Sequence, residues 1–598
     1  MAYVMGNSNS GNTSINAFLG LNMSETGATN LKLGESPHMR NFRITRDYKL
    51  EKMYGYETRY KKDAEVRALW FGLLGDKEVE VYVAGGKVYN GDTEIGTLTD
   101  DITRILEFNK KLYFLNGHEF KTWDGETFVD VPSNAYVPIT KTAVDPKGNG
   151  TLLEPLNMLT AKRRWEISPD GTTNTFTIEK NYDSIQKVLL NGESVDFATT
   201  RKGPYSTEDL RILGEFDLTG RSDNVPAGVN TIEVWYTKEE GTLEEFLKNH
   251  YFQTYGLADD TRVFVYGNKD AKNRVYFSDL DNTGVPNLTY FPANNLFDVG
   301  SSNTAVTDIQ RQYDRLIISK EDSTYYASYE QITDTTGESI VSFPVSPLNK
   351  AHGAVAYNQG QVLDNYVTTI DTSIVKWVNT DTKDERNAQV ISSKVEMWLN
   401  EKDLSKAVTL DYQEDKEYWV AVDKEILIYN YENDCYFLLQ IPDKITSFIV
   451  RDKVIYAGTE SGKIIEFSYN LTTYDNEIID AEWQSGYYDF GAEERRKTMR
   501  TLWVTLKPWV KTSLEINYVS DRDSGNESKN VENRCFSYKS MNYANMTYNT
   551  QRSVKPFRIK LKAKKFAFLK LIFKNRVKDE KVTINSVAIK KAVGGEVK

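Results

Sequence analysis

Histidine and cysteine are nearly missing from this chain, whose 598 residues include 4 His and 2 Cys. His38, His118, His250 and His352 are scattered, without the i, i+4 spacing or paired cysteines that zinc sites use. Structural roles are expected for them, and no metal is assigned. Cys435 and Cys535 could form one bridge at most. In a long intracellular chain two lone cysteines are expected to be reduced and buried. No apolar run approaches the roughly 18 residues that a membrane span needs. The N-terminal residues lack the basic and apolar regions of a secretory signal, so cytoplasmic synthesis without membrane insertion is expected.

Catalytic signatures are lacking as well. There is no GxSxG elbow, no Walker loop and no GxGxxG set between a strand and a helix. The expectation is a non-enzymatic protein with no cofactor. Two weaker patterns read as turns. Thr122-Trp-Asp-Gly-Glu-Thr127 and Ser168-Pro-Asp-Gly-Thr-Thr173 look like fragments of the Asp-box turns of sialidase propellers, but Asp-Gly is also the preferred turn between strands. A glycosidase needs two carboxyl groups at a defined separation, and spacing alone selects no such pair among 85 acidic residues. Asp521-Arg-Asp-Ser-Gly-Asn-Glu527 has alternating oxygen ligands around a glycine, as a Ca²⁺ loop does. It lacks the distal Glu and the flanking helices, and reads as a hairpin loop.

Aromatic residues are plentiful: 37 Tyr and 26 Phe, in a chain of mean hydropathy −0.53. Many of them fall in a recurring strand-turn-strand phrase. Leu112-Tyr-Phe-Leu-Asn-Gly-His-Glu-Phe-Lys-Thr-Trp-Asp-Gly125 is its clearest form, preceded by Val81-Tyr-Val-Ala-Gly-Gly-Lys-Val-Tyr-Asn-Gly91. Later copies begin at Arg262, Arg315, Lys416 and Val454. Spacings of roughly 35 to 55 residues fit the four-stranded blades of a β-propeller. Degenerate copies between Thr283 and Asn400 can be read as two blades or three.

The expected fold is all-β: a β-propeller with an inserted β-sandwich domain and a C-terminal β-sandwich or jelly-roll domain. Residues 1–30, rich in Ser, Asn, Gly and Thr, form a flexible or partner-docking arm. The propeller takes 31–137 and 243–469. Residues 138–242, where Thr175-Phe-Thr-Ile178 and Asn230-Thr-Ile-Glu-Val-Trp-Tyr236 alternate with period two, form the inserted sandwich. One helix is expected after it, with Thr242 and Glu245 at capping-box spacing and Leu243, Phe246, Leu247 and Tyr251 on one face. Strictly alternating strands at Thr501–Leu506, Ser513–Tyr518 and Phe557–Lys562 mark 470–598 as the last domain.

Charge divides the chain. From Gly491 to Lys598, 25 Lys and Arg stand against 10 Asp and Glu, a net of +15; the whole chain carries −11, which leaves −26 on residues 1–490. Either the two halves of neighbouring copies attract one another, or the basic end faces nucleic acid. The candidate interface or DNA-facing residues are Arg495, Arg496, Lys497 and Arg500 in one basic cluster and Lys560, Lys562, Lys564 and Lys565 in another. Trp503 and Trp509 are either contact anchors or part of the sandwich core.

Leu19-Gly-Leu-Asn22, Leu33-Gly-Glu-Ser-Pro-His-Met-Arg-Asn-Phe-Arg-Ile44 and Lys49-Leu-Glu-Lys-Met-Tyr-Gly-Tyr56 carry a family resemblance. With the Leu-Tyr-Phe-Leu-Asn-Gly phrase and the Glu482-Trp to Arg496-Lys497 stretch, the chain resembles the tail hub, or packaged-DNA stabilisation, proteins of short-tailed bacteriophages. That resemblance implies a virion structural protein of the tail or neck, forming a ring homo-oligomer, expected to be hexameric. Such a ring joins the portal or adaptor to distal tail proteins, with non-specific contact to packaged double-stranded DNA, which it retains and passes. The alternative is a tail protein that binds or cleaves host glycans in the propeller cleft; a cytoplasmic scaffold unrelated to phage is a third reading.

Overall fold

Strands of two kinds divide the molecule. Glu417–Val422 is buried at every position, as a strand must be when neighbouring sheets cover both its faces. Lys162–Ile167 and Lys511–Ser520 alternate buried and half-buried side chains instead, the pattern of a sheet with one wet face. The computed structural model describes residues 11–24, 31–201, 214–257, 260–281, 283–333, 339–378, 387–522, 528–536, 538, 547–550, 553–561 and 563–597.

Among the described residues the first kind builds a seven-bladed propeller. Four-stranded antiparallel sheets occupy 66–97, 104–130, 251–298, 306–349, 361–390 and 408–440, numbered here blades 1 to 6. Blade 7 takes three strands from 445–468 and its fourth strand, Gly55–Lys61, from the other end of the propeller sequence. Phe467 stands opposite Tyr56 in that ladder, so the ring closes through main-chain hydrogen bonds. The innermost strands, Val66–Leu74, Arg104–Phe108, Tyr251–Leu257, Val306–Gln312, Gln361–Leu363, Val408–Tyr412 and Ile445–Arg451, each lie against the next around the circle. Polar side chains tie several of them together. Gln253 Nε2 donates to Ile309 O at 2.7 Å, Gln310 Nε2 to Gly360 O at 2.9 Å, Gln361 Nε2 to Thr409 Oγ1 at 3.0 Å and Thr446 Oγ1 to Val66 O at 2.6 Å. The stretch from Thr283 to Asn400 supplies two whole blades, the fourth and fifth.

Between blades 2 and 3 the inserted sandwich packs a six-stranded sheet on a three-stranded one. Phe176, Phe216, Trp165, Ile232 and Tyr236 form its core. The helix that follows runs only Thr242–Leu247 and does not use the expected capping box. Gly241, at φ 74°, is its N-cap, and Thr242 lies inside the first turn with its hydroxyl on Met158 O. Phe246 is buried, while Tyr251 already belongs to blade 3.

The C-terminal sandwich is woven from both ends of the chain. One sheet orders Phe42–Ile44, Leu50–Lys52, Thr583–Glu596, Arg495–Leu506 and Lys555–Ile559; the other orders His38–Arg40, Ala481–Gln484, Leu569–Asn575, Lys511–Ser520 and Lys529–Arg534. Residues 38–52, assigned to the propeller from sequence, therefore lie in the last domain. Within the arm, Asn12–Ile15 pairs with Val587–Lys590, and Leu21 pairs with Tyr436 on the outer edge of blade 6. Burial of Ile15, Phe18 and Leu21, each at most 1% exposed, is what fixes the arm to the body. Phe18 meets Trp483 edge-on at 5.4 Å, and Trp483 stacks on Phe573 at 5.3 Å. Gly20, at φ +81°, crosses blade 6 so closely that a Cβ there would lie 2.5 Å from Tyr436 O.

Candidate functional site

A strand whose side chains alternate puts every second residue on the solvent face, and pairing decides which residues of neighbouring strands share that face. In the sheet built on Arg495–Leu506, Trp503 stands opposite Arg558 on one side and Ala588 on the other, and Ala588 stands opposite Ser14. One row thus crosses four strands from Arg558 to Ser14. The next outward row places Lys590 opposite Thr501 and Asn12, with Lys560 one residue beyond the Lys555–Ile559 strand. Arg500 is the extra residue of a bulge between Met499 and Thr501, a local break that lets it point to solvent. Arg500, Arg558, Lys560 and Lys590 are exposed, and Trp503 is half-buried between them.

The eight basic residues singled out from sequence do not share one face. Arg500 and Lys560 belong to the rows just described. Arg495 is exposed at the far end of the same strand, with Glu494 at 3.9 Å. Arg496 reaches Asp521 at 3.1 Å and accepts no free role. Lys497 points inward: it is 1% exposed and donates Nζ to Ala567 O at 2.9 Å, and burial holds its ammonium below the usual lysine range. Lys564 and Lys565 are exposed on the turn before Phe566. Lys562 lies outside the described residues. Sequence reasoning missed Arg558 and Lys590, which share a face with Trp503 only through pairing between distant strands.

Trp509 is occupied by its own chain, half-buried with Nε1 donating to Thr583 Oγ1 at 2.9 Å. Lys507 and Lys581 lie over its ring at 4.4 and 5.2 Å. Beside it a cleft of about 110 Å³ separates sandwich from propeller, lined by Glu51, Lys52, Tyr54, Tyr469 and Trp509. A wider groove of about 510 Å³ opens between the sandwich's two outer strands, with Val531 and Ile559 at its floor and Lys529, Arg558 and Lys560 at its rim.

Two buried carboxyl groups lie deeper. Glu417 of blade 6 faces Arg43 at 3.3 Å, and burial pushes it up to about 7 against the pull of that guanidinium. Asp308, on the inner strand of blade 4, is likewise pushed up to about 7 by burial. The amide of Gln310 at 3.2 Å and the main-chain N–H groups of Ile309 and Gly360 oppose that shift, as does the charge of Arg104.

The turn carboxylates are consumed locally. Asp124 accepts from the N–H groups of Glu126 and Thr127, and Asp170 from Thr172, which holds both below the usual carboxylate range. Asp521 accepts from the N–H of Ala567 at 2.8 Å besides pairing with Arg496; residues 523–527 of that loop lie outside the described residues. Among the described residues no group of three or more His, Cys, Asp or Glu side chains could hold a metal ion. His118 contacts Asp101 at 3.1 Å and His352 contacts Asp371 at 2.7 Å.

No family model and no curated protein matches this chain. Among solved structures, the computationally designed Ika8 protein is similar at 11% identity and a TM-score of 0.32, over 69% of this chain and 99% of that one. BamB from Moraxella catarrhalis is similar at 11% identity and a TM-score of 0.32, over 70% of this chain and 98% of its own.

Proposed function

We propose that this protein is a structural component of a bacteriophage tail or neck, a subunit of a ring that joins portal or adaptor to distal tail parts and helps retain and pass packaged DNA. The observation that carries this reading is charge separation on a rigid frame. An acidic body of net −26 is welded to a basic domain of net +15, and both ends of the chain are sewn into that weld. Repeated copies of such a subunit attract head to tail, and many weak contacts in a closed ring add to a strong one.

The frame suits a load-bearing role. Each blade is held by two neighbours, the circle is closed by Gly55–Lys61, and the sandwich cannot leave without unpicking strands from both ends of the chain. In this reading DNA passes through the lumen of the oligomer. The N-terminal Gly-Glu-Ser-Pro resemblance supplies the phage assignment, with a location in the virion.

Negative-stain microscopy of the purified protein tests the reading. Rings of six or twelve copies support it. A monomer that binds or hydrolyses bacterial surface glycans saturably would replace it with the glycan-binding alternative.

A further inference from the structure

We propose that the outer face of the C-terminal sandwich, centred on Trp503 and bounded by Arg500, Arg558, Lys560 and Lys590, is the surface that receives the acidic propeller of a second copy of this chain. The proposal rests on the ring reading and assigns one of its contacts.

Several cations elsewhere in the molecule are each held by two carboxylates. Arg59 is held by Glu80 and Glu466, Arg67 by Glu65 and Asp100, Arg163 by Glu179 and Glu240, and Arg274 by Glu245 and Asp298. Among the described residues, Arg500, Arg558, Lys560 and Lys590 have no carboxylate within ion-pair reach, and no carboxylate stands in the two rows they occupy. Four like charges on neighbouring strands repel one another, so the isolated subunit carries a cost that an anionic partner would remove.

Shape selects among anionic partners. The face is a pleated sheet whose central rows hold the small side chains Ser14, Ala588 and Thr501 around one half-buried indole. A flat surface with a single central aromatic and a charged rim has the anatomy of a protein interface. The chain itself supplies the complement. Carboxylates on blades 1 and 2 are poorly neutralised: Asp92 is 89% exposed with Lys62 at 3.9 Å, Glu126 is 80% exposed with Lys77 at 3.8 Å, and Glu78 is 62% exposed with Arg451 at 3.8 Å. Such a contact joins unlike surfaces, and heterologous contacts of this kind generate rings.

Sedimentation velocity across a concentration series in 0.05 M and 0.5 M NaCl tests the assignment, with circular dichroism as a check on folding. Wild type is expected to assemble at low salt and to weaken at high salt, as a contact between exposed charges is screened. The quadruple variant R500Q/R558Q/K560Q/K590Q should need at least tenfold more protein to assemble. A charge-matched control on exposed propeller lysines away from blades 1 and 2, K61Q/K269Q/K272Q/K424Q, should assemble like wild type. If the quadruple variant assembles as wild type does, the assignment fails while the ring reading stands. If wild type stays monomeric throughout, the ring reading falls and takes the assignment with it. A variant that assembles normally yet loses binding to a 60-base-pair duplex would give the face to nucleic acid and overturn the proposal.

Discussion

Arg43 and Glu417 meet at 3.3 Å where the C-terminal sandwich abuts blade 6, and both are buried. Asp415 completes the clamp at 2.9 Å, and the rings of Tyr54 and Tyr469 flank the guanidinium at 5.6 and 5.5 Å. Removing one partner of such a pair leaves an uncompensated charge in a dry place, which costs about 3–5 kcal/mol. Arg43→Met should therefore destabilise strongly, and the double variant R43M/E417M should recover part of the loss. Thermal midpoints of wild type and the two variants check this. A single variant no less stable than the double would show that the pair is not coupled.

Two buried carboxyl groups, Glu417 at this junction and Asp308 in blade 4, make stability depend on pH. Glu417 titrates at about 7 in the folded chain against 4.5 as a free group, and Asp308 at about 7 against 3.8. The folded protein thus binds more protons than the unfolded chain between those values, and stability falls as pH rises from about 4.5 to about 7. At about 1.4 kcal/mol per unit, the decline is roughly 3 kcal/mol for Glu417 and roughly 4 kcal/mol for Asp308, whose share begins near pH 3.8. Glu417→Gln should flatten the slope in a pH series of denaturant midpoints; an unchanged slope would assign it elsewhere.

Gly360 is held to a bare Cα by Asp308. A Cβ there would lie 1.9 Å from the Asp308 carboxylate, so Gly360→Ala should cost about 1–3 kcal/mol by overpacking. Asp308→Ser vacates that space, and the double variant G360A/D308S should be less destabilised than the two single losses summed. A simple sum would place the strain elsewhere.

Phe18 holds the N-terminal arm in the sandwich core at 0% exposure, against Trp483. Phe18→Ala should cost about 3–5 kcal/mol. Limited proteolysis should then cut within residues 11–24 before any blade is attacked. Cleavage at blade loops first would mean that the arm is not held by this contact.

Period and composition were enough for much of the architecture. Aromatic runs punctuated by Asn-Gly and Asp-Gly turns define blades because a strand covered on both faces must be apolar throughout, as Glu417–Val422 nearly is. Alternation in Asn230–Tyr236 marked the inserted sandwich because one face there is wet. The helix was located, but its cap was misplaced, since Gly241 at positive φ starts the turn in place of Thr242. Lys497 shows the limit of reading basic clusters: it sits among arginines in sequence, yet alternation within its strand turns it into the core, where Ala567 O receives it.

The sequence by itself determined the all-β class, the sandwich inserted among the blades and the opposition of an acidic body to a basic end, because residue type and local spacing carry that information. Only the tertiary structure decided that the blades number seven, that Gly55–Lys61 closes the ring, that residues 12–52 belong largely with the C-terminal sandwich, and that Arg558, Trp503 and Ala588 share one row. Those outcomes depend on pairing between strands separated by as many as 578 residues, as Asn12 and Lys590 are. Register between distant strands is set by burial on both partners at once, which no single stretch of chain encodes.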